Sequence, residues 1–177
     1  MKKIIAIVLV LVVAAGVAAF ALSNNGGAEV TPYEGTFEEL ATKLYEANPV
    51  EFMVVPSMEI DLADPDALMM YTGLESAEGI TEAAWSESML GAQPYSMVFV
   101  RVAEGADMEA IKNAMFNGIN TRKWICVEAD QLRVVSSADV IMLCMVGTDF
   151  ASGLADKMVE AFAANVGELS GESLSRD

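Results

Sequence analysis

The hydrophobic pattern opens with a long apolar run near the amino terminus. Lys2 and Lys3 precede it, and the run from Ile4 to Leu22 contains no charged residue. As a helix rising about 1.5 Å per residue, it nearly matches the hydrocarbon core of a bilayer, which is about 30 Å thick. The two lysines favour a cytoplasmic amino terminus, so the residues after Ser23 are expected outside the cytoplasm. Residues 1–22 are predicted to be a signal peptide or a transmembrane anchor, and both alternatives stay open.

Apolar residues then recur at helical spacing in three segments, after a polar linker at 23–35. Thr36 begins the first helix, because its spacing to a glutamate three residues later is that of a capping box. The second helix is predicted over about 107–118, and the third begins at Asp149. A shorter helix begins at Asp64, which suits the cap position and is followed by a proline.

Strand patterns fill the spaces between these helices. ITEAAWSESML and YSMVFVRV are predicted as two neighbouring strands, and LRVVSS and VIMLCMVG as a hairpin. The run VIMLCMV has no polar break, which indicates a central strand. An earlier extended segment contains Pro56, which removes a ladder donor, so that strand is bent or lies at a sheet edge.

The order of these elements predicts an α+β fold. We expect a mainly antiparallel sheet of about four to five strands packed with three main helices, preceded by an N-terminal apolar helix. Residues 36–166 form a single α+β extracytoplasmic domain in this interpretation. The small polar residues of GELSGESLSRD, 167–177, predict a disordered tail.

Charge and missing residue types exclude several classes of function. The chain has 26 Asp and Glu against 10 Lys and Arg, a field that repels nucleic acid. It has no histidine, which excludes Ser-His-Asp and Cys-His catalysis and histidine-ligated metals. CxxC pairs, phosphate-binding glycine loops and the GxSxG and SxxK motifs are also missing from the sequence. No cofactor is therefore predicted.

The densest acidic cluster comprises Glu59, Asp61, Asp64 and Asp66. Closely spaced carboxylates suit calcium, but the glycine of an EF-hand loop is missing here. Helix capping and solvation explain these acids better, so no metal site is predicted. Calcium-linked adhesion stays a minor alternative.

Methionine is abundant, with 12 residues. Exposed methionines can form an adaptable binding surface. Most of those here lie at core spacing beside Leu and Val, so core packing is the favoured interpretation. The methionines considered are Met69, Met70, Met97, Met115, Met142 and Met145.

The segment NTRKWICVEADQLRVV combines basic and aromatic residues in an acidic chain. Helix-dipole contacts, cross-strand ion pairs and a packed tryptophan explain it structurally. If the basic groups converge, however, they form a site for an anionic or saccharide ligand. The candidate binding residues are Arg101, Arg122, Lys123, Trp124 and Arg133.

Two cysteines, Cys126 and Cys144, lie in apolar runs that look strand-like. Export would permit a disulfide between them. Nothing in their spacing shows that they face each other, so two buried thiols are the favoured interpretation.

The segments YTGL, YSMVFVRV, RKWICVEAD and VIMLCMV, in this order, resemble the family catalogued as domain of unknown function 4358. The resemblance spans roughly Thr36 to Phe162. It implies a small exported protein of a Gram-positive cell envelope, and it carries no catalytic signature or functional residues. Many members of that family are lipoproteins, whereas this chain has no cysteine near the end of its leader.

These observations predict an exported cell-envelope protein that is membrane-anchored or secreted. Its expected role is that of a non-catalytic binding or accessory module. Expected partners are the membrane, if the leader is uncleaved, and an envelope protein or saccharide. The alternative is a hydrolase or transferase of unfamiliar type that uses carboxylate or Ser and Tyr groups.

Overall fold

A six-stranded antiparallel sheet forms the centre of the protein. The structure, a computed structural model, describes residues 31–177, which form one compact unit. The predicted leader at 1–22 and most of the predicted linker lie outside the described residues. Within 31–177, no helix is both long and apolar enough to cross a membrane.

The described residues contain five helices and six strands. The helices are α1 Phe37–Ala47, α2 Pro65–Thr72, α3 Met108–Gly118, α4 Thr148–Ala151 and α5 Leu154–Val166. The strands are β1 Met58–Glu59, β2 Ile80–Glu87, β3 Tyr95–Val102, β4 Gln131–Ser137, β5 Val140–Val146 and β6 Leu174–Arg176.

The α+β prediction is confirmed, with six strands in the order β1-β2-β3-β5-β4-β6. Every residue of β5 is buried, as its unbroken apolar run predicts. The strand that was not expected is the short edge strand β6, in the carboxyl-terminal tail. Pro56 precedes β1, in agreement with the edge or bent strand expected there.

Helices cover both faces of the sheet. On one face, α1 and α5 pack against residues such as Phe99, Met142 and Val135. On the other face, α2 and α3 pack against residues such as Val100 and Leu143. Because side chains alternate along a strand, each central strand contributes to both cores. We refer to these as the α1/α5 face and the α2/α3 face.

Side-chain caps begin three helices where the sequence predicts them. Thr36 and Glu39 form both bonds of a capping box. Asp64 accepts from the backbone N–H groups of Asp66 and Ala67 in α2, and Asp107 accepts from that of Ala110 in α3. The prediction that Asp149 begins the last helix is wrong. Gly153 adopts a left-handed φ of 73°, which separates the short α4 from α5.

The carboxyl-terminal tail is ordered in the structure, so the predicted disorder at 167–177 is wrong. Strand β6 pairs with β4, and the Asp177 carboxylate lies 2.8 Å from the Arg133 guanidinium. Arg176 stacks over the ring of Phe116 and donates to its carbonyl. Tertiary contacts, rather than local apolar periodicity, hold this segment.

The prediction of two buried thiols is confirmed for one cysteine and wrong for the other. Cys144 is fully buried on β5, whereas Cys126 is exposed, and both are free. The segment between α3 and β4 is a loop, not an extended strand. Cys126 adopts a positive φ of 65° there, and Ala129 N–H donates to the Thr121 carbonyl across the loop.

Candidate functional site

Arg101 organises the start of the described chain. Its guanidinium lies 2.8 Å from Glu82 and 3.1 Å from Asp139, and it donates to the carbonyls of Tyr33 and Gly35. It also stacks over Phe37, 5.0 Å from the ring centroid. These contacts tie the segment before α1 to the sheet on the α1/α5 face.

Arg133 lies on the same face of the sheet but at a different place. Its guanidinium pairs with Asp156 of α5 at 2.6 Å and with Asp177 at 2.8 Å. In the register of β5, Arg101 pairs with Val140 and Arg133 with Cys144. Four residues along a strand correspond to about 13 Å, and β5 lies between the two arginine-bearing strands.

An open cavity of about 320 Å³ lies beside Arg133. It is lined by Asp156 and Glu160 of α5 and by the tail segment that contains β6. The Arg133 guanidinium already has two carboxylate partners here. An anionic ligand would have to displace one of them.

The other three candidates lie in the loop after α3. Arg122 is exposed, with 77% of its side chain accessible, and pairs with Glu128 at 3.0 Å. Lys123 is buried against the α2/α3 face, where it contacts Ser96 of β3. Trp124 packs against the same core. The five residues therefore do not form one surface, and ligand binding by them stays a prediction.

Lys123 is the centre of a small polar and aromatic cluster. Its ammonium forms an ion pair with Glu87 and lies 5.0 Å from the Tyr71 ring centroid and 5.4 Å from that of Trp124. Tyr71 in turn stacks on Trp85, with centroids 4.5 Å apart and planes 8° apart. Burial lowers the pKa of Lys123, and the Glu87 carboxylate partly opposes that shift.

Large apolar side chains are exposed around this cluster, at the β1 edge of the sheet and on α2. Met53 accepts a backbone hydrogen bond from Met89, and Met58 pairs with Trp85 in the β1–β2 register. Met70 precedes Tyr71, the residue stacked on Trp85. We call this surface the methionine edge: Met53, Met58, Met69, Met70, Met89 and Leu90.

The methionine edge is the feature that sequence reasoning missed. Met97, Met115, Met142 and Met145 are buried, in agreement with the core interpretation. Met69 and Met70 are exposed instead, because α2 turns Leu68 and Thr72 toward the sheet. The sequence carries one usable signal: no lysine or arginine occurs between Lys43 and Arg101, the interval that holds all five methionines of this edge.

The acidic cluster before and within α2 has local structural tasks. Asp64 accepts from the N–H groups of Asp66 and Ala67, and Asp61 accepts from that of Ala63. In the part of the chain that the structure describes, no group of three or more acidic or cysteine side chains is arranged to hold a metal ion.

Comparisons with protein-family models, curated proteins and solved structures found no match to this chain. The resemblance to domain of unknown function 4358 therefore stays a prediction.

Proposed function

We propose that this protein is an exported, non-catalytic binding module of the cell envelope, and that it docks a protein partner on the methionine edge. One observation carries the proposal: six large apolar side chains are exposed around one edge of the sheet and its flanking helix. Large exposed apolar patches on soluble proteins mark interaction sites. Methionine suits such a site because its flexible, polarisable side chain adapts to different partners.

The rest of the described surface supports binding by this edge rather than by the basic residues. Arg101, Lys123 and Arg133 are each engaged by carboxylates of the same chain. Their charges hold loops, helices and the tail against the sheet. The methionine side chains, in contrast, have no such internal task.

Export is supported by the leader sequence. The uncharged run from Ile4 to Leu22 after two lysines is typical of a secretory signal or an amino-terminal anchor. We propose an extracytoplasmic location for the domain. Cell fractionation, together with the mass of the mature protein, tests both the location and the cleavage of the leader.

The hydrolase alternative has one specific observation in its favour. Asp156 and Glu160 both line the cavity beside Arg133. Asp156, however, is paired with Arg133 at 2.6 Å, so its carboxylate already serves to anchor α5 to β4. The methionine edge therefore supports binding better than the cavity supports catalysis.

Site-specific photocrosslinking in the cells that produce the protein tests the proposed function. A benzophenone side chain replaces Met58 in one variant and Met70 in another, and Glu160 on α5 is the matched control position. We expect a discrete crosslinked partner from Met58 and Met70 and none from Glu160. The proposal would be abandoned if the methionine positions gave no adduct, or only the adducts that Glu160 also gives.

A further inference from the structure

We infer that the partner of the methionine edge presents a cationic, amphipathic protein segment, in which Lys or Arg residues border an apolar face. This inference rests on the proposed function and names the chemistry of its partner. Acidic residues lie beside the exposed methionines, and this arrangement supports the inference.

Charge is distributed very unevenly along the chain. Residues 44–100 contain no lysine or arginine, although they include β1, α2 and β2. Two acids of that interval, Glu82 and Glu87, are paired with Arg101 and Lys123. Among the ion pairs of the described residues, none involves the exposed acids Glu51, Glu59 and Asp66.

These unpaired acids border the methionine edge. Glu59 directly follows Met58 in β1. Asp66 lies three and four residues before Met69 and Met70 on α2, a spacing that places all three on neighbouring parts of one helix surface. Glu51 lies two residues before Met53. The apolar surface is therefore bordered by negative charge that no basic group of the described chain neutralises by direct pairing.

Charge complementarity selects the partner. A second copy of this chain would bring the same acids face to face, and an anionic membrane surface would meet like charge. A basic amphipathic segment fits both parts of the surface, because its apolar face covers the methionines while its cations pair with the bordering acids.

Lys123 shows that this region accepts an ammonium group. The chain's own lysine is held there by the Glu87 carboxylate and by the faces of Tyr71 and Trp124. Aromatic faces and carboxylates attract cations in the same way when the cation belongs to a partner. The methionine edge adjoins this cluster through the Met58–Trp85 pair.

A peptide-binding assay tests the inference. The full-length chain is placed in phosphatidylcholine nanodiscs and titrated against a fluorescent peptide with a leucine face and a lysine face. Two matched peptides are included: one with every lysine replaced by glutamine, and one with the same composition in scrambled order. We expect the lysine peptide to bind about tenfold more tightly than either control peptide. Empty nanodiscs should not show this difference in affinity among the three peptides.

Two variants divide the apolar and charge contributions. Met58→Gln/Met70→Gln/Met89→Gln preserves net charge, and Glu51→Gln/Glu59→Gln/Asp66→Asn removes the bordering acids. Each is expected to weaken binding of the lysine peptide about tenfold. The control Glu160→Gln/Glu168→Gln/Glu172→Gln changes net charge equally at exposed positions outside the methionine edge, and should weaken binding less than about twofold.

Three results would overturn the inference. They are equal weakening by the control variant, equal binding of the glutamine peptide, and tighter binding of the wild-type chain in nanodiscs to phosphatidylglycerol vesicles than to the lysine peptide. A further result distinguishes failure of this inference from failure of the proposed function. If Met58 crosslinks a partner in cells and removal of the three bordering acids leaves that capture unchanged, docking stands while the cationic partner does not.

Discussion

Lys123 and Glu87 form an ion pair that retains little contact with water. Their side chains keep only 5% and 13% of their accessible surface. Lys123 comes from the loop after α3, and Glu87 is the last residue of β2. The pair therefore fastens an irregular loop to the sheet, in the region where the Lys123 ammonium also lies against the rings of Tyr71 and Trp124.

Removing one partner of this pair is expected to destabilise the protein strongly. Lys123→Met leaves the Glu87 carboxylate buried without its cation, and such a loss costs about 3–5 kcal/mol of unfolding free energy. Chemical denaturation of the variant and the wild type measures the difference. Arg122→Ala is the matched control in the same loop, because its exposed pair with Glu128 is worth no more than about 1 kcal/mol.

The double variant Glu87→Leu/Lys123→Met tests whether the destabilisation comes from the unpaired charge or from altered packing. Replacing both charges with apolar groups removes the desolvation cost of each, so we expect stability within about 1 kcal/mol of the wild type. A double variant as unstable as Lys123→Met would show that the loop depends on packing rather than on the charge pair.

Alkaline pH is expected to destabilise the protein, because it buries tyrosine and cysteine side chains that stay protonated in the folded state. Burial raises the pKa of Tyr45 and of Cys144 to about 12 each, and raises that of Tyr95 well above its usual value. The folded chain keeps these protons in a pH range where the unfolded chain releases them. The contribution of these three groups to stability is therefore fully present below about pH 9 and is lost as pH rises toward 12.

Urea denaturation at a series of pH values from 8 to about 11 measures this decline. Cys144→Ala should flatten the slope by up to about 1.4 kcal/mol per pH unit, because it removes one of the groups concerned. Met142→Leu on the same strand removes no ionisable group, so it should shift the curve without changing its slope. Parallel curves for the wild type and Cys144→Ala would contradict the explanation.

Sequence periodicity predicted the sheet and the main helices because those signals are local. The strand β5 needs only its own unbroken apolar run to indicate burial, and the Thr36 cap needs only a residue three positions away. The start of α5 was misplaced because a helical pattern continues through Gly153, whose left-handed conformation is not visible in apolar spacing. The ordered tail likewise depends on partners more than thirty residues away, such as Arg133.

The candidate site was harder to predict because exposure is a property of the assembled fold. Met70 and Met142 both occur among apolar neighbours, yet only Met142 is covered by elements on both sides. The basic residues were candidates because they are rare in this acidic chain. The four basic candidates Arg101, Arg122, Lys123 and Arg133 each meet a carboxylate in the folded chain, and three of those carboxylates come from other elements.

Deleting Ser173–Asp177 is expected to lower the unfolding free energy by about 1–3 kcal/mol. The deletion removes the pairing of β6 with β4 and the Asp177 partner of Arg133. A few hydrogen bonds, each worth about 0.5–1.5 kcal/mol net, account for that range. Thermal and chemical unfolding measure the loss.

The single substitution Asp177→Asn is the control for this deletion. The Asp177 side chain is 70% exposed, so loss of its charge alone should cost less than about 1 kcal/mol. If the deletion left stability unchanged, the tail would not contribute to the sheet in solution.

The two cysteines are expected to differ sharply in reactivity. Thiolates, not thiols, react with maleimides, and the Cys144 thiol is fully buried with a pKa raised by burial to about 12. Cys126 is exposed in the loop after α3. We expect one equivalent of label on the folded protein, located at Cys126, and two after unfolding in guanidinium. The variant Cys126→Ser should take up none until it unfolds. Two equivalents on the folded protein would contradict the burial of Cys144, and label that appears only after reduction would show that the thiols are oxidised in the mature protein.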